Sequence, residues 1–378
     1  MFLKTVMERN QPLVRLGIEW QQNGVILPDT YLLDYDTILE NARSIKQAGD
    51  ANGVQNFFML KQIGRNPLIA RALTDMGYVG AVCVDFREAL TMVENQIPLG
   101  NVGHLVQIPR AALKKILRAK PVIVTVYTLE KAREISAVCT ELGLHQKLML
   151  RVLGEGDMLY SGQYGGFELQ ELDSAVRAIE AMPNVEVGGV CSFPCFLYDE
   201  AAQDILPMPN LRTVQTAAEM LRARGYRDLM LNTPSATCTH SIPMIAAAGG
   251  THGEPGHGLT GTTPYHAGHP DAEERPGYLY VSEVSHNLGD KAYCYGGGHY
   301  RRGHMKNALV GTTPENAKVV PVLPPDDSSI DYHFELQQNC PVSAAAVMAF
   351  RTQFFVTRSR VAVVKGLSSG KPELAGLY

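Results

Sequence analysis

With 378 residues, the chain is too long for one small domain and long enough for a large domain with a smaller companion. A net charge of −4, with no Lys/Arg run, argues against nucleic acid as the main partner, while 45% hydrophobic and 19% charged residues suit a globular enzyme. The longest apolar runs, such as PVIVTVYTL, fall far short of the roughly 20 residues that span a bilayer, and MFLKTVMERNQPLV has no signal-peptide pattern, so the expectation is a cytoplasmic protein without a membrane partner.

Residues 1–28 form a segment expected to pack with the C-terminal β domain. From residue 56 to residue 254, short apolar runs alternate with amphipathic stretches. The runs are NFFMLK (56–61), YVGAVCVD (78–85), VGHLVQI (102–108), PVIVTVY (121–127), KLMLRVL (147–153), VEVGGVCSF (185–193), RDLMLN (227–232) and GTHGE (250–254). Between them lie helical patterns such as NPLIARALTDMG, TLEKAREISAVCTELG and NLRTVQTAAEMLRARG; the last two carry apolar residues at i, i+3 and i+4 and finish on glycine. Continuous apolar runs alternating with helices signify parallel strands buried on both faces. Eight such units predict an α/β fold, a (β/α)8 TIM-type barrel over residues 29–262. GTHGE is weak as a strand and enters partly on the count, and a doubly wound open sheet is the competing architecture. Residues 263–378 read differently: GYLYVSEVSH, AYCYGG and QFFVTRSRVAVVKG are β segments without helices between them, predicting a mainly β domain. The seven cysteines (Cys83, Cys139, Cys191, Cys195, Cys238, Cys294 and Cys340) are odd in number and scattered, which fits free thiols.

In a barrel of this type, function sits at the C-terminal ends of the strands. Those ends offer Lys61, Asp85, Gln107, Arg151, Ser192, Asn232 and Glu254. A lysine closing NFFML would have an apolar stem and a desolvated, nucleophilic amine, as imine formation requires; a surface lysine in a turn is the plainer reading. The stretch GTHGEPGHGLTG (250–261) has five glycines in twelve residues, suited to a backbone cradle for phosphate, though a glycine-rich domain-boundary loop would look the same. TPSATCTHS nearby adds hydroxyls. Glu254 is harder to explain plainly, because a carboxylate inside a glycine turn is either solvated or faces a cation. A nucleophilic lysine, a phosphate cradle and an acid for a cationic nitrogen together describe pyridoxal 5′-phosphate (PLP).

These motifs carry a resemblance. YLLDYDTILENARSI followed by FFMLKQIGRNPLIARALTDMGY resembles the opening of the fold-type III PLP enzymes, the alanine racemase-like group, with Asn41 matching the asparagine near the start of their first helix. LMLRVLGEGDMLYSGQYGGF, carrying Arg151, is similar to their fifth-strand segment, and LNTPSATCTHS to their Asn-Ser phosphate-binding segment. In detail the chain resembles the YhfX-type bacterial proteins. The resemblance implies Lys61 as the Schiff-base lysine and Arg151, Asn232, Ser235, Thr237, Glu254, Gly256 and His257 as cofactor-binding residues. It also implies a homodimer with active sites at the subunit interface, and a second acid/base from the partner subunit. Tyr295, in AYCYGGGHY, matches the racemase Tyr-Gly pattern, with Cys294 as the other candidate; each has a plainer reading as a packed strand residue.

The chain departs from the family in three places. Phe193 and Pro194 stand where a ring-stacking histidine is usual. Alanine racemases set an arginine against the ring nitrogen, and ornithine and diaminopimelate decarboxylases a glutamate in Glu-Pro-Gly-Arg; this chain has Glu254-Pro255-Gly256-His257. The decarboxylase cysteine-aspartate pair is not evident. The resulting expectation is a PLP-dependent amino-acid racemase or epimerase that takes the α-proton through a stabilised carbanion. Decarboxylase and D-amino-acid lyase or dehydratase are alternatives, and a non-catalytic PLP-binding regulator is the alternative of another class. Eight of the eleven histidines lie between residues 240 and 304, but no HxxxH pair sits on a helix, so no catalytic metal is expected.

Overall fold

The computed structural model describes residues 2–378, which divide into two compact units. One contains Arg43–Leu60 and Pro67–Gly256; the other contains the residues up to Ala42, Lys61–Asn66 and His257–Tyr378.

The first unit is a closed barrel of eight parallel strands. In chain order they are Gln55–Asn56 with Phe58–Met59 (one strand interrupted at Phe57), Ala81–Cys83, Leu99–Val102, Ile123–Val126, Gln146–Leu153, Val185–Cys191, Met230–Asn232 and His252–Gly253. Closure rests on the split first strand. Phe58 pairs with Ala81 of the second strand, while Gln55 and Asn56 pair with His252 and Gly253 of the eighth. An open doubly wound sheet would leave that last pairing unmade, so the barrel is the architecture. The weak strand expected at residues 250–254 is two residues long and does close the ring.

The helices between the strands follow from their sequences. Leu129–Leu142 starts where Thr128 accepts a hydrogen bond from the Lys131 amide at 3.3 Å and stops at Gly143, whose φ of 63° is left-handed. Its Ala132, Ile135, Ser136 and Cys139 are buried at the spacing of one helical face. Strand residues such as Val82, Val124, Leu148 and Val190 are buried too, because a parallel barrel strand is covered on both faces.

The second unit is built on antiparallel pairing. Tyr278–Leu288, Lys291–Tyr295, His333–Leu336, Lys318–Leu323, Asn307–Gly311 and Ala345–Met348 pair in that order, and the last returns to the first, closing a six-stranded ring. Strand Thr30–Asp34 extends this sheet, antiparallel to Tyr278–Leu288 and parallel to Arg360–Lys365. Helices Leu3–Arg9 and Gln11–Gln22 pack Phe2, Val6, Leu13 and Ile18 into one apolar cluster with Leu32, Leu279, Val281 and Val347. Compactness therefore divides the chain differently from the sequence expectation of 29–262 and 263–378. Residues 29–42, 61–66 and 257–262 group with the β unit, the first of them through the pairing of Thr30–Asp34 with Tyr278–Leu288 and Arg360–Lys365. All seven cysteines are free and buried. Among the described residues, no helix is long and apolar enough to cross a membrane.

Candidate functional site

In the barrel unit, a polar layer crosses the C-terminal ends of the strands around Glu254, which is only 4% exposed. The eighth strand delivers it. A side chain at Gly253 would put a Cβ 2.8 Å from Thr237 Cγ2 and 2.9 Å from Asn56 Oδ1, so only glycine lets the strand pass so close to its neighbours. The Glu254 amide donates to Thr237 Oγ1 at 3.2 Å. Glu254 Oε1 accepts from Asn232 Nδ2 at 2.6 Å and from Asn101 Nδ2 at 3.2 Å, and Asn101 Oδ1 in turn accepts from Thr125 Oγ1 at 2.7 Å. Oε2 has no hydrogen-bond partner; His104 Nε2 stands 3.6 Å away. One oxygen of a buried carboxylate is thus satisfied by two amides, and the other keeps lone pairs for a donor. Such an arrangement is costly unless a cationic or N–H group completes it.

Asn232 and Thr237, both expected as cofactor-binding residues, contact Glu254 in this structure. Asn232 ends the seventh strand in register with Cys191 and His252, and its amide serves the Glu254 carboxylate rather than the following loop. The Thr237 hydroxyl is likewise turned to the Glu254 backbone. In the loop between them, Ser235 and Ala236 have consecutive left-handed φ values of 99° and 54°.

Arg151 is fully buried inside the fifth strand. Its Nη1 donates to Tyr127 Oη at 3.0 Å and its Nη2 to the Gln163 carbonyl at 2.7 Å, while Nε has no partner. Among the described residues, no carboxylate is ion-paired with this guanidinium. Beside it, burial pushes the Cys191 thiol up to about 12 against the opposing pull of Arg151.

Lys61 and His257 belong to the other unit. Lys61 lies two residues past the end of the first barrel strand, is 9% exposed, and its carbonyl accepts from the Phe354 amide at 2.9 Å. His257 Nε2 lies 3.0 Å from the Thr352 carbonyl, which can only accept, so Nε2 carries the proton and Nδ1 accepts from Gln62 Nε2 at 3.3 Å. Burial, and then the charges of Arg351 and Lys61, hold this imidazole well below its ordinary value, so it is neutral near pH 7. Gly256 is buried.

The two second-base candidates separate clearly. Tyr295 ends its strand with its side chain partly open, the residue being 39% exposed, and its carbonyl accepts from Ser282 Oγ at 2.6 Å. Cys294 points the other way, fully buried, with burial pushing its thiol up to about 12. That burial matches the plainer reading of Cys294 as a packed strand residue. Among the described residues, no group of three or more His, Cys, Asp or Glu side chains is arranged to hold a metal.

Asn101, His104, Thr125 and Tyr127 were not singled out by sequence reasoning. The third strand ends at Val102, so Gly103 and His104 form a turn rather than the strand interior that VGHLVQI suggested. The glycine directly before the histidine was the available signal.

Comparison with known proteins bears on this arrangement. Residues 33–264 match the model of the alanine racemase N-terminal domain, and residues 279–374 that of the YhfX-like C-terminal domain. The chain is 43% identical to the YhfX protein of Escherichia coli (strain K12) over 380 residues, covering 100% of this chain and 98% of that one. Among solved structures, alanine racemase from Clostridium difficile 630 superposes with a TM-score of 0.64 at 14% identity, covering 92% of this chain and 97% of that one. D-threonine aldolase from Filomicrobium marinum superposes with a TM-score of 0.63 at 17% identity, covering 86% and 87%. The chain belongs to the alanine racemase N-terminal domain family, its barrel joined to a YhfX-like C-terminal domain.

Proposed function

We propose that this protein is a PLP-dependent enzyme that exchanges the α-proton of an amino acid, as a racemase or epimerase. Pyridoxal 5′-phosphate is the cofactor of the family. The residues here fit it on one observation above others: Glu254 is buried, its Oε1 is held by two amides, and its Oε2 lacks a hydrogen-bond donor. That carboxylate suits a protonated ring nitrogen. When bound, the cofactor withdraws electrons from the substrate α-carbon, most strongly with its ring nitrogen protonated.

Each residue then has its own task. Lys61 would hold the cofactor's aldehyde carbon until the substrate amine displaces it, and its freed Nζ would then move the α-proton on one face. Tyr295 holds or accepts a proton at Oη on the other face, serving the site of a partner subunit in a homodimer. Glu254 keeps the ring nitrogen protonated, with Asn101 and Asn232 fixing its orientation. The Ser235–Ala236 backbone and the Thr237 loop receive the phosphate, and Arg151 orients an anionic oxygen of cofactor or substrate.

Glu254 also suits decarboxylation and lyase chemistry, since both need the same electron withdrawal, and one experiment distinguishes them. Purified holoenzyme is incubated with amino-acid pools in heavy water. α-Deuterium in both enantiomers supports racemisation, release of carbon dioxide indicates a decarboxylase, and appearance of an aldehyde or keto acid indicates a lyase. Absence of any exchange would favour a non-catalytic PLP-binding protein.

A further inference from the structure

The geometry points to His104 as a positioning residue for Glu254, a third hold that presents Oε2 in a fixed direction; this inference rests on the reading of Glu254 as the partner of the cofactor ring nitrogen. A carboxylate gripped through one oxygen alone can swing about its last torsion, which is broad and roughly two-fold. Oε1 has its two amide donors, and the imidazole of His104 is the side chain beside Oε2, at 3.6 Å. That distance lies beyond a hydrogen bond, but both side chains are buried, at 1% and 0% exposure, so water does not screen a polar contact between them.

The chain shapes itself to put an imidazole there. Gly103 turns with φ at 91°, and a Cβ on it would come 2.7 Å from the Thr125 carbonyl. Gln107 Nε2 donates to the carbonyls of both Gly103 and Thr125, each at 2.9 Å, tying the turn to the fourth strand. Tyr127 Oη donates to the His104 carbonyl at 2.6 Å and itself accepts from Arg151 Nη1 at 3.0 Å. The ring of Phe193 meets the imidazole edge-on, at 5.6 Å and 87°. A continuous series of contacts therefore runs from Arg151 through Tyr127 and His104 to the carboxylate. A histidine that only filled core space would not need a left-handed glycine and a hydroxyl on its carbonyl to reach a charged neighbour.

The test uses pyridoxal 5′-phosphate labelled with 15N at the ring nitrogen and reads the ring-nitrogen NMR signal of the bound cofactor, which reports its protonation without reference to turnover. In the wild-type holoenzyme the signal is expected at the protonated position. In His104→Leu it is expected to move toward the unprotonated position, with cofactor affinity about tenfold weaker, the scale of one lost polar contact; His104→Gln, which keeps an N–H donor, should restore most of both. Should His104→Leu fail to fold, Tyr127→Phe removes the hydroxyl that holds the His104 carbonyl and that also accepts from Arg151, and should shift the signal in the same direction. A folded His104→Leu or Tyr127→Phe protein with the wild-type signal and affinity would overturn the role of His104 and leave that of Glu254 standing. An unprotonated ring nitrogen in the wild type would overturn both.

Discussion

Replacing Glu254 with glutamine isolates the charge from the shape. Glutamine keeps the side-chain length, and its carbonyl can still accept from Asn232 and Asn101, which now meet Oε1 at 2.6 and 3.2 Å. Its amide nitrogen then occupies the Oε2 position and offers hydrogen to the ring nitrogen instead of accepting from it. What is lost is one charge-assisted hydrogen bond in a buried site, about 1.5–3 kcal/mol. Each 1.36 kcal/mol corresponds to a factor of ten, so α-proton exchange should slow by about ten- to two-hundredfold in kcat/KM. Because the packing is retained, thermal stability should move little. The assay is deuterium uptake from heavy water into an accepted amino acid, followed by NMR and accompanied by a melting curve. A Glu254→Gln protein that binds cofactor and exchanges at the wild-type rate would refute the assignment, since it would show that the carboxylate charge has no part in the chemistry.

The remaining expectations concern other parts of the molecule. Lys61→Ala should abolish covalent trapping of the cofactor by borohydride, read by intact-protein mass spectrometry; a trapped adduct in that variant would remove Lys61 from its role. Tyr295→Phe should slow exchange on one face of the substrate far more than on the other, whereas Cys294→Ala should leave exchange intact and lower only stability, by an amount on the order of 1 kcal/mol for a small buried side chain. His252 supplies a pH dependence. Burial lowers it from 6.5 to about 4, and it is held neutral between Thr251 Oγ1 at 2.8 Å and Gln55 Oε1 at 3.1 Å. Because the folded value is depressed, its contribution is complete above pH 6.5 and is lost as pH falls toward 4, where the unfolded chain takes up the proton first. The loss across that window is on the order of 3 kcal/mol. Urea unfolding of wild type and His252→Gln at pH 7 and pH 4.5 should show the steeper decline in the wild type; parallel declines would refute it.

Much of the barrel was legible because its strands obey a local rule. A strand covered on both faces must be apolar along its length, as Ile123–Val126 is, and a helix such as Leu129–Leu142 carries its own start at Thr128 and its own stop at Gly143. The sequence also placed a lysine two residues past the first strand and an acid directly after the eighth. The joining of Thr30–Asp34 to Tyr278–Leu288, about 250 residues away, was not legible. Backbone pairing leaves no mark on which distant strand a given strand will choose.

The sequence by itself determined the chemistry available: a lysine, a carboxylate in a glycine turn and an alternating β/α pattern to bring strand ends together. Only the tertiary structure decided how those groups are used. It turned Asn232 toward Glu254, buried Cys294 while leaving Tyr295 partly open, and carried His104 to the second carboxylate oxygen. The physical reason is that a residue's type is local, whereas its hydrogen-bond partner and its burial depend on segments from the whole chain, here residues 101, 104, 232 and 254, meeting at one end of a closed barrel.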